Sequence, residues 1–269
     1  MSDKLFTPNG GSKPITTKAP KKERPDPNNI FNAQAEQQKK LDPRSGKVKS
    51  WSFSALSIFE KCPRQTFLAK IEHIPQGSSD ALDRGNRIHA AIEHYIIGET
   101  DTLSNEVKNF TSLINALRNE YAKGSVIIED EWAYNQHWEN TAYRSDQAWC
   151  RMKLDAMRNE SPTSAHIIDW KSGRKFGNEF KHGQQGQLYA IGAFLLYPKL
   201  QHITVEFVYV DQAETLEKAY TRDEALLFLP SWTKRATKMT TENDFMPRPA
   251  ISTCKWCPYR EEHCQWSQQ

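Results

Sequence analysis

The chain has 269 residues, with 36 Lys+Arg, 33 Asp+Glu, a formal net charge of +3, 38% apolar and 26% charged residues. That length permits one large domain or two small ones with a sizeable core. No run of about 18 apolar residues exists and no apolar segment follows a basic start, so neither a membrane span nor a secretory leader is expected. A reducing, cytoplasmic location follows, and there the five cysteines point to metal or chemistry rather than to disulfides.

The charge is uneven. Residues 1–50 hold eleven Lys/Arg, five Asp/Glu, six of the fourteen prolines and only eleven apolar residues. Such a segment buries too little to offset its ordering entropy and reads as a disordered basic tail that meets phosphates loosely at most. Residues 51–269 carry 25 basic and 28 acidic residues and read as the folded domain.

From Trp51 the pattern becomes periodic. Ser54 is positioned to cap a helix carrying Leu56 and Phe59, and Pro63 forces a restart before Phe67 and Leu68. Asp80 to Ile97 reads as a helix with Ile88, Ala91, Ile92 and Tyr95 on its apolar side, and Val107 to Tyr121 as another. Strand signals follow at Val126–Trp132, Trp149–Met157 and His166–Lys171. Glu179–Tyr197 is helical, Ile203–Val210 a strand, Leu216–Tyr220 an edge strand and Asp223–Met239 a final helix. This order predicts an α/β fold with a central mixed sheet flanked by helices.

Chemistry concentrates near the strand ends. Asp155 lies in the alternating run CRMKLDAMR, and Asp169 and Lys171 in HIIDWKSG. A period of two puts Asp169 and Lys171 on one face and Trp170 on the other. Carboxylates on neighbouring strands make an oxygen-rich site for Mg²⁺ or Mn²⁺. A protonated lysine is no ligand, but it suits the attacking water or charge building on a phosphate. In RGNRIHAAIEHY, His89 and Glu93 share a helix face, and imidazole beside two carboxylates suits Mn²⁺ at least as well as Mg²⁺. In QQGQLYAIGAF, Gln185 and Tyr189 share another face and offer hydrogen bonds to a phosphate or base.

The C-terminal run CKWCPYREEHC places two residues between Cys254 and Cys257 and six more before Cys264. C-x2-C lets two thiolates reach one metal from a tight turn. Cys62, in FEKCPRQTF, is the natural fourth member, while Cys150 sits in a strand as a buried free thiol. Four cysteines serve Zn²⁺ and iron–sulfur clusters alike, and spacing does not decide between them. For nucleic acid, Trp51, Trp170, Trp232, Trp256 and Trp266 offer rings and Arg64, Arg84, Arg87, Arg174 and Lys175 offer charge.

Together these residues resemble the PD-(D/E)XK nuclease superfamily in its RecB-type branch. The helix around His89, the strand LDAM, the triplet DWK and the Gln185-x-x-x-Tyr189 helix carry the likeness, with Leu154 standing where a proline often precedes the aspartate. The resemblance implies a restriction-endonuclease-like core, metal held by His89, Asp155 and Asp169, Lys171 as catalytic lysine, and Gln185 and Tyr189 positioning DNA. The segment SFSALSIFEKCPRQTFL and the late cysteines are similar to those of iron–sulfur nucleases of this branch, such as AddB-type domains and CRISPR-associated exonucleases. That likeness implies a [4Fe–4S] cluster on Cys62, Cys254, Cys257 and Cys264 that staples the two ends of the domain. It implies a DNA exonuclease of recombination, repair or phage DNA metabolism, acting in the host cytoplasm if phage-encoded. The chain has no Gly-x-x-x-x-Gly-Lys phosphate loop and so no helicase motor of its own, which leaves room for a helicase or recombinase partner.

Overall fold

A six-stranded sheet organises the protein in a computed structural model that describes residues 44–260 and 262–268. In chain order come α1 (Phe53–Lys61), α2 (Pro63–Lys70), α3 (Asp80–Ile97), a 3-10 turn (Asn105–Phe110), α4 (Thr111–Tyr121), β1 (Val126–Tyr134), β2 (Asn140–Thr141), β3 (Cys150–Ser161) and β4 (Ser164–Lys171). Then follow α5 (Glu179–Leu196), β5 (His202–Tyr209), β6 (Glu214–Thr221), α6 (Arg222–Leu226), α7 (Leu229–Thr240) and the short α8 (Ile251–Cys254). The strand order is β2-β1-β3-β4-β5-β6, with β4 and β5 parallel and the other pairs antiparallel. The parallel pair needs a crossover, and α5 supplies it. The mixed sheet flanked by helices is the α/β architecture expected from the element order.

Each face of the sheet has its own core. On one face Ile88, Ile92 and Ile96 of α3 and Ile114 and Leu117 of α4 pack on Ile168, Trp170 and Val208. On the other, Leu188 and Ile191 of α5, Leu56 and Phe59 of α1 and Trp232 of α7 pack on Met152, Leu154, Ile167 and Phe207. The alternation along β4 therefore sends Trp170 to the α3 side and leaves Asp169 and Lys171 facing α5. Close approach of α5 depends on Gly186, where a Cβ would lie 3.1 Å from the Phe207 ring and 3.2 Å from Val205.

Local chemistry explains where several elements start and stop. Ser52, rather than Ser54, caps α1 by accepting from the Ala55 N–H. Pro63 opens α2 at its first turn, where its missing N–H costs nothing. The helix expected over Val107 to Tyr121 begins as the 3-10 turn, capped by Ser104, and becomes α-helical only at Thr111. The helix expected over Asp223–Met239 is split, because Pro230 opens α7 and ends the Thr221-capped α6 before it. The basic tail expected over residues 1–50 lies mostly at residues 1–43, outside the described residues. Residues 44–50 pack on the fold: Gly46 N–H donates to Thr240 O at 2.8 Å and Val48 is buried. Among the described residues no helix is long and apolar enough to cross a membrane.

Candidate active site

Three layers converge on one point. Strand β4 supplies Asp169 and Lys171, β3 supplies Asp155, α3 brings His89 from one side and α5 brings Gln185 and Tyr189 from the other. Asp169 is only 2% exposed. Its Oδ1 accepts from Tyr189 Oη at 3.0 Å and Gln185 Nε2 at 3.3 Å. Its Oδ2 lies 2.5 Å from Lys171 Nζ in ionic contact, yet accepts no well-directed hydrogen bond. Lys171 also donates to Gln185 Oε1 at 3.1 Å. Tyr189 hydroxyl contacts the Lys153 carbonyl at 3.0 Å and so ties α5 to β3 as well as β4.

Asp155 is gripped from two directions. Its Oδ2 accepts the Trp170 N–H at 2.8 Å, across the strand pair, and its Oδ1 lies 3.2 Å from His89 Nδ1. Burial pushes the Asp169 carboxyl up, against the pull of the Lys171 charge. For His89 burial opposes the charged ring, but the hydrogen bond to Asp155 and the charges of Asp155 and Asp169 outweigh it and raise the imidazole above its ordinary value. Burial raises the Tyr189 phenol well above its usual range. Lys171 and His89 offset the carboxylates, and the Asp155 and Asp169 carboxylates beside the His89 imidazole are a donor set that suits a divalent cation.

The sequence reading did not anticipate Glu129. Its carboxylate lies with His89 and Asp155 in the one group, among the described residues, of three or more His, Cys, Asp or Glu side chains whose ligand atoms fall within 4.8 Å of each other. Asp169 is outside that tight group, although it interacts electrostatically with both His89 and Asp155. Glu129 contacts Lys153 as an ion pair and has a positive φ of 52°. A block of three acids, Glu129, Asp130 and Glu131, in the middle of a strand was the available signal. Glu93, on the same helix face as His89, contributes a charge felt by Lys153.

The cysteines lie elsewhere. Cys62, at the α1–α2 junction, lines one cavity with Cys254, Cys257 and Cys264, and Arg64 and Trp266 are among the other residues of its wall. The expected tight cluster is not formed, because no three thiols lie within 4.8 Å of each other among the described residues. All five cysteines are free, and Cys150 is fully buried at the start of β3. Burial, and then the neighbouring Cys264, Cys62 and Cys254, push the Cys257 thiol up, against a backbone hydrogen bond from Tyr259. Arg248 N–H donates to Cys62 Sγ at 3.5 Å.

Of the rings and cations singled out for nucleic acid, Trp51, Trp170 and Trp232 are core residues, while Trp256 and Trp266 are exposed. Arg84 is engaged by Asp211 and Glu106, and Lys175 by Glu214. Phe176 and Phe180, which the sequence reading passed over, are exposed just beyond β4 at 87% and 80%.

A family model for the PD-(D/E)XK nuclease superfamily matches this chain in two overlapping stretches, residues 50–160 and 151–265. No curated protein matches the chain. Among solved structures, the protein SSO0001 aligns over 89% of this chain and 96% of its own, at 15% identity and a TM-score of 0.45. A protein described as a candidate exonuclease from Eubacterium rectale aligns over 81% of this chain and 87% of its own, at 14% identity and a TM-score of 0.41. A phage-related exonuclease from Haemophilus somnus covers 66% and 92%, at 12% identity and a TM-score of 0.26.

Proposed function

The chain belongs to the PD-(D/E)XK nuclease superfamily, and from that premise we propose a divalent-metal-dependent DNA exonuclease acting on DNA ends or single strands. The observation that carries this reading is the buried Asp169–Lys171 pair, held by Gln185 and Tyr189 beside Asp155 and His89. His89, Asp155 and Asp169 would hold Mg²⁺ or Mn²⁺, which when bound polarises the phosphoryl oxygen and lowers the pKa of water.

The side chains divide the remaining work. Lys171 sits within reach of the phosphate that Asp169 would face, and its ammonium orients the attacking water and meets charge developing on the phosphoryl oxygens. Gln185 bridges Lys171 and Asp169, fixing the lysine relative to the carboxylate. Tyr189, whose phenol burial raises well above its usual range, keeps Asp169 turned toward the site by donating to Oδ1. The Trp170 N–H anchors the far oxygen of Asp155.

The reading includes a [4Fe–4S] group on Cys62, Cys254, Cys257 and Cys264, placing the chain in the RecB-type branch. Four cysteines facing one cavity support it. Zinc on the same four sulfurs is the alternative, since four thiolates serve both. A structural role follows, because the cavity joins the α1–α2 junction to the C-terminal segment. Such an enzyme fits recombination, repair or phage DNA metabolism in a cytoplasm, with a separate helicase or recombinase opening strands.

The test uses the full chain purified without oxygen. With 5′- and 3′-labelled single- and double-stranded DNA and Mg²⁺ or Mn²⁺, we expect shortening from an end that Asp169→Ala and Lys171→Ala abolish. Unchanged activity in both variants would overturn the reading, and metal and DNA binding without cleavage in the native protein would mark an inactive DNA-binding module. A broad absorption near 400 nm with iron bound is expected for the cysteine site. Colourless protein carrying one zinc would contradict the iron–sulfur assignment.

A further inference from the structure

Helix α5 holds Asp169 with one face and borders a cavity with another. Counted from Gln185, Lys181 stands about 40° round the helix, Gln184 about 100°, Phe180 about 140° and Gln187 about 160°, all in the same sense. The far face borders an open cavity of about 440 Å³, walled also by α7 and by strands β5 and β6. That volume lies in the range of small-ligand sites.

The cavity combines rings with hydrogen-bond donors. Phe180, Phe207 and Phe228 line it, and Phe180 and Phe228 are exposed. Gln184 and Gln187 line it too, with amides of fixed orientation. Gln187 Oε1 accepts from the Trp232 indole N–H at 3.0 Å, and Gln184 Oε1 accepts from the Arg235 guanidinium at 3.4 Å. Indole and guanidinium only donate, so each amide turns its oxygen to them and keeps its NH2 for another partner. Among the described residues neither NH2 has one. Donors beside exposed aromatic faces match a flat heterocycle with an acceptor edge, as in a nucleobase. An apolar protein side chain would leave those donors unanswered. Glu179 and Glu217 also border the cavity, so it suits a neutral ring and keeps phosphates outside.

The cavity adjoins the catalytic lysine. Lys171 Nζ lies 5.3 Å from the centre of the Phe207 ring, which is also part of the cavity wall. Between the two faces of α5 stands Lys181, with no carboxylate partner among the described residues. Burial, and then the charges of Lys171 and Lys61, hold its ammonium below its ordinary value. A cation without a counter-ion beside other cations is a place for a phosphate. We propose that the cavity is a base-binding subsite for a DNA strand that leaves the active site across the first turn of α5. One nucleobase stacks on Phe180 and accepts hydrogen bonds from Gln184 and Gln187, while the adjacent phosphate meets Lys181. The inference rests on the DNA-nuclease reading and deepens it by naming where the strand runs beyond the scissile bond.

The test is binding of fluorescein-labelled single-stranded DNA, followed by anisotropy with Mn²⁺ in a Lys171→Met parent that leaves the strand largely intact. Oligonucleotides with one abasic position each are expected to reveal a position where loss of the base weakens binding about fivefold or more, the usual cost of a lost stack. Phe180→Ala should weaken binding of the intact strand by a similar factor and no longer sense that abasic position, whereas Phe180→Trp should bind at least as well as the parent. Gln187→Glu still accepts from Trp232 but donates nothing, and it should weaken the intact strand as well. Because Phe180 is exposed, Phe180→Ala should melt with the parent. A flat abasic profile, or binding by Phe180→Ala and Gln187→Glu within twofold of the parent, would overturn the inference and leave the nuclease reading standing. Loss of self-association in Phe180→Ala with unchanged DNA binding would assign the cavity to a protein contact and overturn it too. Native protein that neither binds nor cuts DNA would remove both.

Discussion

Asp155, Asp169 and Lys171 stand on hydrogen-bonded strands inside the fold, whereas Cys254, Cys257 and Cys264 stand on a four-residue helix and the turns after it. In the first region each charge has a partner from the protein: Lys171 and Tyr189 for Asp169, His89 for Asp155, Lys153 for Glu129. In the second, the thiols share a cavity, and Cys257 feels the other three as unfavourable charges. Strands held by flanking cores preorganise their site before any ligand arrives. Short turns do not, and their arrangement draws on the binding free energy of what they hold. Under the proposed reading, a ligand of the first region would serve chemistry and a ligand of the second would serve folding.

The largest effect should come from breaking the second region. Cys254→Ser is expected to lose the 400 nm absorption and to lower the melting temperature by about 10 °C or more, given the size of metal contributions to small ordered segments. Asp169→Asn should leave the melting temperature within about 3 °C, since its site is held by strand pairing and packing. Equal melting of Cys254→Ser and native protein would erase the contrast.

A smaller effect should distort the first region alone. Gly186→Val puts methyl groups against Phe207 and Val205, where even a Cβ would lie within 3.1–3.2 Å. A loss of about 2 kcal/mol is expected from overpacking. Cleavage should fall with it, because Gln185 and Tyr189 shift relative to Asp169, while the iron absorption per protein stays constant. Thermal melts and absorbance ratios on the same sample check both halves.

The pH response sharpens the contrast further. Burial first, and then the Lys171 charge, depress His182 to about 4 from 6.5, and its Nδ1 lies 2.6 Å from Tyr209 Oη. The unfolded chain therefore takes up a proton that the folded chain refuses. Stability should be full above pH 6.5, fall as pH drops toward about 4, and level off below that. With partial exposure allowed for, about 1–2 kcal/mol is expected. Denaturant melts of native protein and His182→Gln between those limits measure it, and equal slopes for the two would exclude His182 as the source.

The smallest effect concerns metal affinity. Lys153→Met removes the ammonium that contacts Glu129. If that ammonium competes with a cation, Mn²⁺ should bind about threefold to tenfold more tightly, as loss of a partly exposed charge allows. Weaker binding in this variant would show that Lys153 supports the site instead.

Much of the first region was legible because its signals are periodic. The alternating β3 run, the apolar β4 ending in Asp-Trp-Lys and the Gln185/Tyr189 spacing on α5 each follow from strand or helix repeat. The split between α6 and α7 also had its signal in Pro230. Glu129 had only the block of three acids in VIIEDEWAY, which breaks alternation without saying which acid turns inward, and positive φ at a glutamate has no mark in sequence. Residues 44–50 were hidden by composition: one buried valine and the approach of Gly46 to Thr240 tie down a stretch whose charge and proline content match the tail. For the cysteines, the spacing signalled the company of Cys62 with the late three, and all four line one cavity.

Lys171 provides the most direct test of the nuclease reading, since removal of its ammonium leaves every proposed metal ligand in place. Single-turnover cleavage of end-labelled DNA by Lys171→Met, at saturating Mn²⁺ and beside a Mn²⁺ binding isotherm of the same preparation, is the measurement. Metal binding should persist, and cleavage should fall by about 10²–10³, the usual cost of removing one preorganised group that meets transition-state charge. Cleavage within twofold of native would contradict the role given to the Asp169–Lys171 pair.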